Sequence, residues 1–369
     1  MADNLYFSRD TKVYLAIGAV IWEIPVLDGF SFSQATNTSE VALNEMAASA
    51  GVTRRGRKVF NDSYAPAEWS FSTYARPFIS AGSGSGAADS AAKNHAVEEA
   101  LWGLMVGTGA YAANSFNGCT NGTTSAGLEM TFANSNIAAL GTGTLYFVLG
   151  DSAVSPENTV KQTYRITEVC VNEATIDFDV EGITTINWSG FGSLINEHDA
   201  AVAATIYEGA GNTDNFIRNR LTTCLINGQG AAADTNFNLA LTGGSISVSN
   251  NLTHLTPETL GTVNHPIGNV TGTRNIGGNL TCYLNAAADS SAELLETLAE
   301  DTDGITNSYS TTIKIGGTGT PRIELVMATC HLEIPTTSIE DIISVDINFH
   351  ALPSDIDGTN EMTIKYVGA

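Results

Sequence analysis

The chain is poor in charged residues, and basic residues are the scarcest of them. Only 15% of its 369 residues are Asp, Glu, Lys or Arg, and 16 basic residues stand against 39 acidic ones, for a formal net charge of −23. Such a surface repels a polyanion at long range, which argues against a nucleic-acid-binding protein. There is also no run approaching the roughly 18 apolar residues that a membrane-spanning helix needs.

Cysteines are few and widely spaced, and the start of the sequence does not have the pattern of an export signal. The five cysteines show no C-x-x-C spacing, so we expect reduced thiols in a protein made in the cytoplasm. Arg9, Asp10 and Lys12 fall where a signal peptide would need its hydrophobic region, so we expect no signal peptide.

Patterns that carry chemistry are likewise absent. The glycine-rich stretches GSGSG (82–86) and GGTGTP (316–321) lack the Lys-Ser/Thr ending of a phosphate-binding loop. The six histidines show no metal-ligand spacing, and there is no G-x-S-x-G nucleophile motif. The sequence therefore predicts no catalytic residue, no metal site and no cofactor site.

What the sequence does contain is apolar material, small polar residues and an internal repeat. Apolar residues reach 43%, and the length suggests two domains. DNLYFSRDTKVYLAIG near the start matches DNFIRNRLTTCLING from Asp214 at an offset of 211. Further segments match in the same order, among them Val26 to Glu45 with Ala240 to Thr259, WSFSTY with GNLTCY, and ITTINW with SVDINF. This order predicts a duplicated domain, residues 1–211 and a trimmed copy, 212–369.

Each copy is predicted to contain strands and one helix. Period-2 alternation predicts strands such as Trp69 to Tyr74, and helical patterns follow in HAVEEALWGLM and SSAELLETLAEDTDG. The first copy has additional long loops at 34–66 and 107–143. The fold class is therefore mainly β (α+β), and each copy has an α+β or β-sandwich plan with one flanking α-helix.

One short stretch is strongly basic, although the chain as a whole is acidic. GVTRRGRKVF contains Arg54, Arg55, Arg57 and Lys58 within five residues. An Arg/Lys run is typical of a phosphate-binding patch, but the overall charge disfavours that interpretation.

Several sequence segments resemble those of a known protein family. IPVLDGFSFSQATNTSEVALNE, TRRGRKVFNDSYAPAEWSFSTYARPF and YRITEVCVNEATIDFDVEGITTINWSGFG in the first half, and GTRNIGGNLTCYL with SVDINFHALPS in the second, resemble tail tube proteins of bacteriophages with long non-contractile tails. The resemblance covers nearly the whole chain and depends on element order rather than on a catalytic signature.

The resemblance implies a structural virion protein and no enzyme. Its tandem domains would be β-sandwiches, each with a flanking α-helix, that join edge to edge so that their inner sheets form one barrel. Two-domain subunits would form trimeric rings that stack into a tube. The implied partners are further copies, other tail proteins (tape measure, terminator and distal tail) and genomic DNA as transient, non-specific cargo, with no membrane partner. The implied location is the virion tail, after assembly in the cytoplasm of the bacterial host.

Within this family, two groups of charged residues acquire roles. Carboxylates at alternating positions, with Asp177, Asp179 and Glu181 as candidates, would face the lumen, where like charge lets DNA slide. The cations Arg54, Arg55, Arg57 and Lys58 would contact carboxylates of neighbouring subunits or rings and fix their register. A merely solvated loop remains the alternative for the basic run.

Two other functions stay open at this point. A carbohydrate-binding or adhesive β-sandwich of a virion or cell surface would also explain the abundance of Asn and Thr. A glycan hydrolase would need a pair of carboxylates, but the sequence singles out no such pair.

Overall fold

The computed structural model describes residues 6–41, 57–82, 88–112, 115–123, 125–132, 140–150, 161–199, 202, 208–211, 213–228, 236–300, 309–339, 341–356 and 358–369. These residues form 25 strands and two α-helices, which confirms the mainly β fold with helices. None of the helices in this part of the chain has the length and apolarity to cross a membrane.

The first half contains fourteen strands and one helix. They are β1 (Lys12–Ile17), β2 (Val20–Ile24), β3 (Ser31–Val41), β4 (Lys58–Tyr74), β5 (Pro77–Gly82), β6 (Ala88–Ala96), α1 (Glu99–Val106), β7 (Tyr111–Ala112), β8 (Ser115–Phe116), β9 (Cys119–Asn121), β10 (Leu128–Thr131), β11 (Gly143–Leu149), β12 (Gln162–Asp179), β13 (Thr185–Gly192) and β14 (Ile195–Glu197).

The second half is shorter. It contains β15 (Thr223–Gly228), β16 (Asn236–Leu239), β17 (Leu241–Ser249), β18 (Thr253–Leu255), β19 (Gly268–Val270), β20 (Asn275–Tyr283), α2 (Ser291–Glu300), β21 (Tyr309–Ile315), β22 (Arg322–Leu332), β23 (Thr336–Ser338), β24 (Ser344–Ala351) and β25 (Thr363–Val367).

Both halves have the same order of antiparallel pairings. In the first, β1 pairs with β2 and β11, β11 with β12, β12 with β13, β13 with β4, and β4 with β3. In the second, β15 pairs with β16 and β21, β21 with β22, β22 with β24, β24 with β20, and β20 with β17. A short 3-10 turn precedes β1 at Ser8–Asp10 and precedes β15 at Asn219–Leu221.

Strand β12 contributes to both layers of its half. Its first part pairs with β11 and β14, and its second part pairs with β13. The two parts meet near Glu168, which has a left-handed backbone with φ of 52°, and the register with β13 shifts between Val171 and Glu173. Such an irregularity bends a strand and lets it leave one sheet for another.

The halves are joined through their sheets. The second part of β12 also pairs with β17, from Glu173 opposite Ser249 to Asp179 opposite Gly243. As a result, β3, β4, β13, β12, β17, β20 and β24 form one continuous sheet, which we call the long sheet. A second connection pairs β10 of the first half with β25 of the second.

One face of the long sheet packs into the core. Its inward side chains belong to a single buried cluster, including Trp69, Trp188, Ile176, Ile246 and Phe349. Burial of such side chains from water is the main favourable contribution to the fold. Helix α1 packs against β12, and the side-chain amide of Asn250 donates to its Met105 carbonyl at 3.1 Å.

Two predictions of local structure need correction. The predicted loop at 34–66 is wrong in its described parts, because β3 extends to Val41 and β4 begins at Lys58, so the chain forms a long hairpin there. The predicted loop at 107–143 contains β7 to β10 among its described residues. The first helix begins at Glu99 rather than at His95, which lies in β6, and all its residues are buried, so it has no solvent-exposed face.

Candidate functional site

The second face of the long sheet is polar across all seven strands. Residues directly opposite one another form rows that cross both halves. One row runs through Ser31, Ser70, Ser189, Glu173, Ser249 and Asn275, and the next through Ser72, Asn187, Thr175, Ser247, Gly277 and His350. A third runs through Tyr74, Thr185, Asp177, Ser245, Asn279 and Asn348. Because side chains alternate along a strand, these residues share the face opposite to the core.

Side-chain hydrogen bonds connect neighbouring strands on this polar face. The Ser72 hydroxyl donates to Asn187 Oδ1 at 2.6 Å, and the Asn187 amide donates to Asp177 Oδ2. The Ser247 hydroxyl donates to Glu173 Oε1 at 3.0 Å and so links the two halves. Cross-strand contacts of this kind stabilise a sheet and fix its register. They hold the short side chains of this face in fixed positions.

The charges on the polar face are of one sign. Carboxylates lie at Glu68, Glu173, Asp177, Asp179 and Asp346, whereas the three rows contain no Lys or Arg. The basic residues of these strands lie beyond the rows, Lys58 at the far end of the hairpin and Arg165 in the first part of β12. The side chain of Arg274, directly before β20, is buried and pairs with Glu361 in the interior at 3.4 Å. The face therefore offers a polyanion hydroxyl and amide groups but no cationic partner.

The three predicted lumen carboxylates have different surroundings. Asp177 and Asp179 lie on the polar face, and partial burial raises the pKa of Asp177, an effect that the hydrogen bond from Asn187 opposes. Glu181 lies beyond the end of β12 in an exposed turn, so it does not continue the alternation. It borders an open groove of about 840 Å³ that Arg218 and Arg220 also line.

Half of the predicted basic contact loop can be described. Arg54 and Arg55 lie outside the described residues. Arg57 forms a two-pronged ion pair with Glu40 across the hairpin, which lowers the pKa of Glu40 through its hydrogen bonds, and Lys58 lies 4.9 Å from the ring centroid of Phe60. Arg57 therefore already has a carboxylate partner within its own chain.

A buried acidic cluster lies behind the sheets, next to α1. The backbone N–H of Arg76 donates to both carboxylate oxygens of Glu98, at 3.2 and 3.3 Å, and burial raises the pKa of Glu98 to about 7. Glu99 Oε2 lies 3.0 Å from His95 Nδ1, and both of these side chains are buried as well. Among the described residues, no group of three or more His, Cys, Asp or Glu side chains has a metal-binding arrangement.

Sequence reasoning identified the carboxylates of β12 but not the polar positions of the second half. The signal was present as the alternating serines of SISVS in β17 and the polar positions of NIGGNLTCY in β20. The buried cluster at Glu98 gave no recognisable sequence signal, because two adjacent glutamates at the start of a helix are normally exposed.

Fold and site together define a mainly β protein in which two similar halves share one long sheet with a polar, acidic face. No family model matches the chain. The chain is similar to the tail tube protein pb6 of Escherichia phage T5, with 29% identity over 376 aligned positions that cover 97% of this chain and 75% of that protein. This similarity confirms the resemblance to phage tail tube proteins.

Proposed function

We propose that this protein is a structural subunit that assembles into stacked rings and forms the tube of a phage tail, through which genomic DNA passes. Two tail tube domains, 1–211 and 212–369, make up each subunit. The protein is not an enzyme. It is assembled in the host cytoplasm and ends in the virion tail, where its neighbours are further copies and the tape measure, terminator and distal tail proteins.

The observation that carries this proposal is the long sheet. Its strands continue from one half to the other, so the two halves already join edge to edge within a single chain. Repeating that arrangement between chains closes the sheet into a barrel and removes its exposed edges. We propose rings of three subunits, which place six similar domains around the axis.

The polar face is proposed to line the lumen. Carboxylates there, among them Asp177 and Asp179 with Glu181 near the end of β12, repel the phosphates of DNA, and the hydroxyl and amide groups offer only weak contacts. Strong attachment to DNA depends on cations that neutralise phosphates, and the three rows of this face contain none. The wall would therefore hold DNA loosely enough for it to slide.

The basic run is proposed to act between subunits or rings. Arg57 is already paired with Glu40, so its contribution would be to stiffen the hairpin, and Lys58 on the same exposed strand end remains available for a neighbour's carboxylate. Complementary charges of this kind determine orientation and register more than affinity.

Negative-stain electron microscopy of the purified chain at high concentration tests the function. Hollow fibres or stacked rings support the proposal. Dispersed particles that bind glycans would instead favour a carbohydrate-binding protein, and dispersed particles without glycan affinity would contradict both. Replacing Arg54, Arg55, Arg57 and Lys58 with Ser should leave the monomer folded but impair tube growth. Unchanged growth would show that the basic run is only solvated.

A further inference from the structure

The long sheet ends in two edges that the described residues leave without a strand partner. At one end, β3 pairs with β4 alone. At the other end, β22 pairs with the end of β24, and β23 extends the long sheet along the start of β24 and pairs with β24 alone. Unpaired edges present backbone donors and acceptors to another strand, so they are the natural places for sheet extension.

The junction between the halves provides a template for these two edges. Within the chain, Asp177 of β12 lies opposite Ser245 of β17, between Thr185 of β13 and Asn279 of β20. Because the halves repeat the same pairings, each strand of this junction has a counterpart. The counterpart of β17 is β3, and the counterpart of the end of β12 is β23.

The register of the counterparts follows from the strands beside them. Ser31 lies opposite Ser70, which occupies the place of Asn279 when the closing tyrosines of β4 and β20 are aligned. Thr336 lies opposite Asp346, which occupies the place of Thr185 when ITTINW is aligned with SVDINF. Ser31 thus corresponds to Ser245, and Thr336 corresponds to Asp177.

Exposed apolar side chains lie at the same two ends. Within the chain, Ile217 and Asn219 pack on the turn after β12. Ile217 lies just before the second half's 3-10 turn, and Asn219 lies at its start. The backbone N–H of Thr184 donates to the Ile217 carbonyl at 3.1 Å, and Ile217 is fully buried. The corresponding segment of the first half carries Phe7, which is 49% exposed. The corresponding turn after β23 carries Ile339 and Ile342, which are 80% and 62% exposed.

We propose, on the basis of the tube function above, that β3 of one copy pairs antiparallel with β23 of a second copy, with Ser31 opposite Thr336. The segment before β1 of the first copy then covers Ile339 and Ile342 of the second, as the segment before β15 covers the turn after β12. The interface is head-to-tail, because the two surfaces are different. Head-to-tail contacts generate a ring when the rotation closes.

Cysteine cross-linking tests the register. The variant Ser31→Cys/Thr336→Cys should form disulfide-linked oligomers under mild oxidation, and the series should stop at the number of subunits in a ring. Either substitution alone should give none. The variant Asp177→Cys/Ser245→Cys is the positive control, since the same geometry lies within one chain and should give an intrachain disulfide. Ser31→Cys/Ser338→Cys, shifted by two residues on the same face, is the register control.

Parallel microscopy of the same samples separates this inference from the tube function. Tubes without cross-linked oligomers, or with oligomers from the shifted pair instead, overturn the pairing while the tube function stands. Cross-linked oligomers without tubes support the pairing and count against the tube. Neither tubes nor oligomers would overturn both.

A second variant tests the apolar part of the interface without new thiols. Ile342→Ser should raise the dissociation constant between subunits by about tenfold or more, because an apolar side chain that becomes buried on assembly is lost. Ile356→Ser is the matched control, since Ile356 is fully exposed and lies in the connection between β24 and β25, outside β3, β23 and the segments beside them. An equal effect of the two substitutions on sedimentation would contradict the proposed contact.

Discussion

The indole N–H of Trp102 donates a hydrogen bond to the phenolic oxygen of Tyr366 at 2.9 Å, in the interior of the protein. Trp102 lies in α1 of the first half and Tyr366 in β25, at the end of the second. The same Tyr366 hydroxyl bonds to the buried carboxyl group of Glu98. The two halves therefore share a polar contact in their cores as well as the long sheet, and we expect them to unfold together.

Tyr366→Phe should destabilise the whole chain. The substitution leaves the buried Trp102 N–H without an acceptor, which typically costs about 1–3 kcal/mol of the free energy of unfolding. Urea denaturation followed by tryptophan fluorescence measures it. Tyr283→Phe, at a half-exposed position, is the control and should have little effect. Equal midpoints for the two variants would show that the contact contributes nothing.

Stability should fall with rising pH through Glu98. Burial raises its pKa to about 7, so the folded protein holds this proton more tightly than the unfolded chain, in which the pKa is near 4.5. The resulting stabilisation is complete below about 4.5 and is lost as the pH rises through about 7. The groups around the carboxyl group, the Arg76 guanidinium and the Tyr366 hydroxyl, moderate the shift.

Glu98→Gln removes this titration. Between about pH 5 and pH 8, the variant's free energy of unfolding should change less than that of the unmodified protein. Glu258→Gln, at an exposed position, should keep the original slope. Parallel curves for Glu98→Gln and the unmodified protein would mean that Glu98 does not titrate differently on unfolding.

The five cysteines should be inert in the folded protein. All are buried and free, and burial raises the pKa of each thiol, to about 12 for Cys170 and Cys330. Since the thiolate is the reactive form, a colorimetric thiol reagent should detect almost no thiol until denaturant is added. Ser31→Cys adds one exposed thiol and serves as the positive control. Rapid reaction of the unmodified protein would contradict the buried positions.

Much of the architecture was predictable because it is encoded locally. The two matched segments of the repeat begin 211 residues apart, and so do β1 and β15. The alternation of ATIDFDVEG identifies the two faces of β12 up to Asp179. Both flanking helices were found from their apolar spacing, within a few residues of their observed starts. In these segments, most of the periodically spaced apolar residues are buried in the structure.

The long hairpin of β3 and β4 was missed for a physical reason. Beyond Gln34, the side chains of β3 are nearly all polar and exposed, as in Asn37 and Ser39, so no apolar alternation distinguishes this strand from a loop. Cross-strand contacts, such as Ser39 with Asp62, support it instead of a core. Likewise, the pairing of β12 with β17 depends on which edges meet in space, and no local pattern records that choice.

The ion pair of Arg57 with Glu40 leads to a prediction about tube growth. If Arg57 acts by stiffening the hairpin, Glu40→Gln should impair growth as much as Arg57→Ser, although it removes no cation. If Arg57 instead contacts a neighbour directly, Glu40→Gln should leave growth unchanged or improve it. Light scattering during assembly distinguishes the two, with Lys58→Ser measured alongside. Circular dichroism should show all three variants folded.

Cations placed on the polar face should turn the tube into a DNA-binding surface. In Ser72→Lys/Thr175→Lys, two lysines lie on either side of Asn187, in the wall of the proposed lumen. Assembled tubes of this variant should bind a short fluorescent oligonucleotide, more weakly as salt rises, and protect it from a nuclease too large to enter the lumen. Leu260→Lys/Ile356→Lys changes the charge equally at exposed positions off the long sheet, so any bound oligonucleotide should stay digestible. Equal protection by both variants, or none by the first, would show that the polar face does not line the lumen.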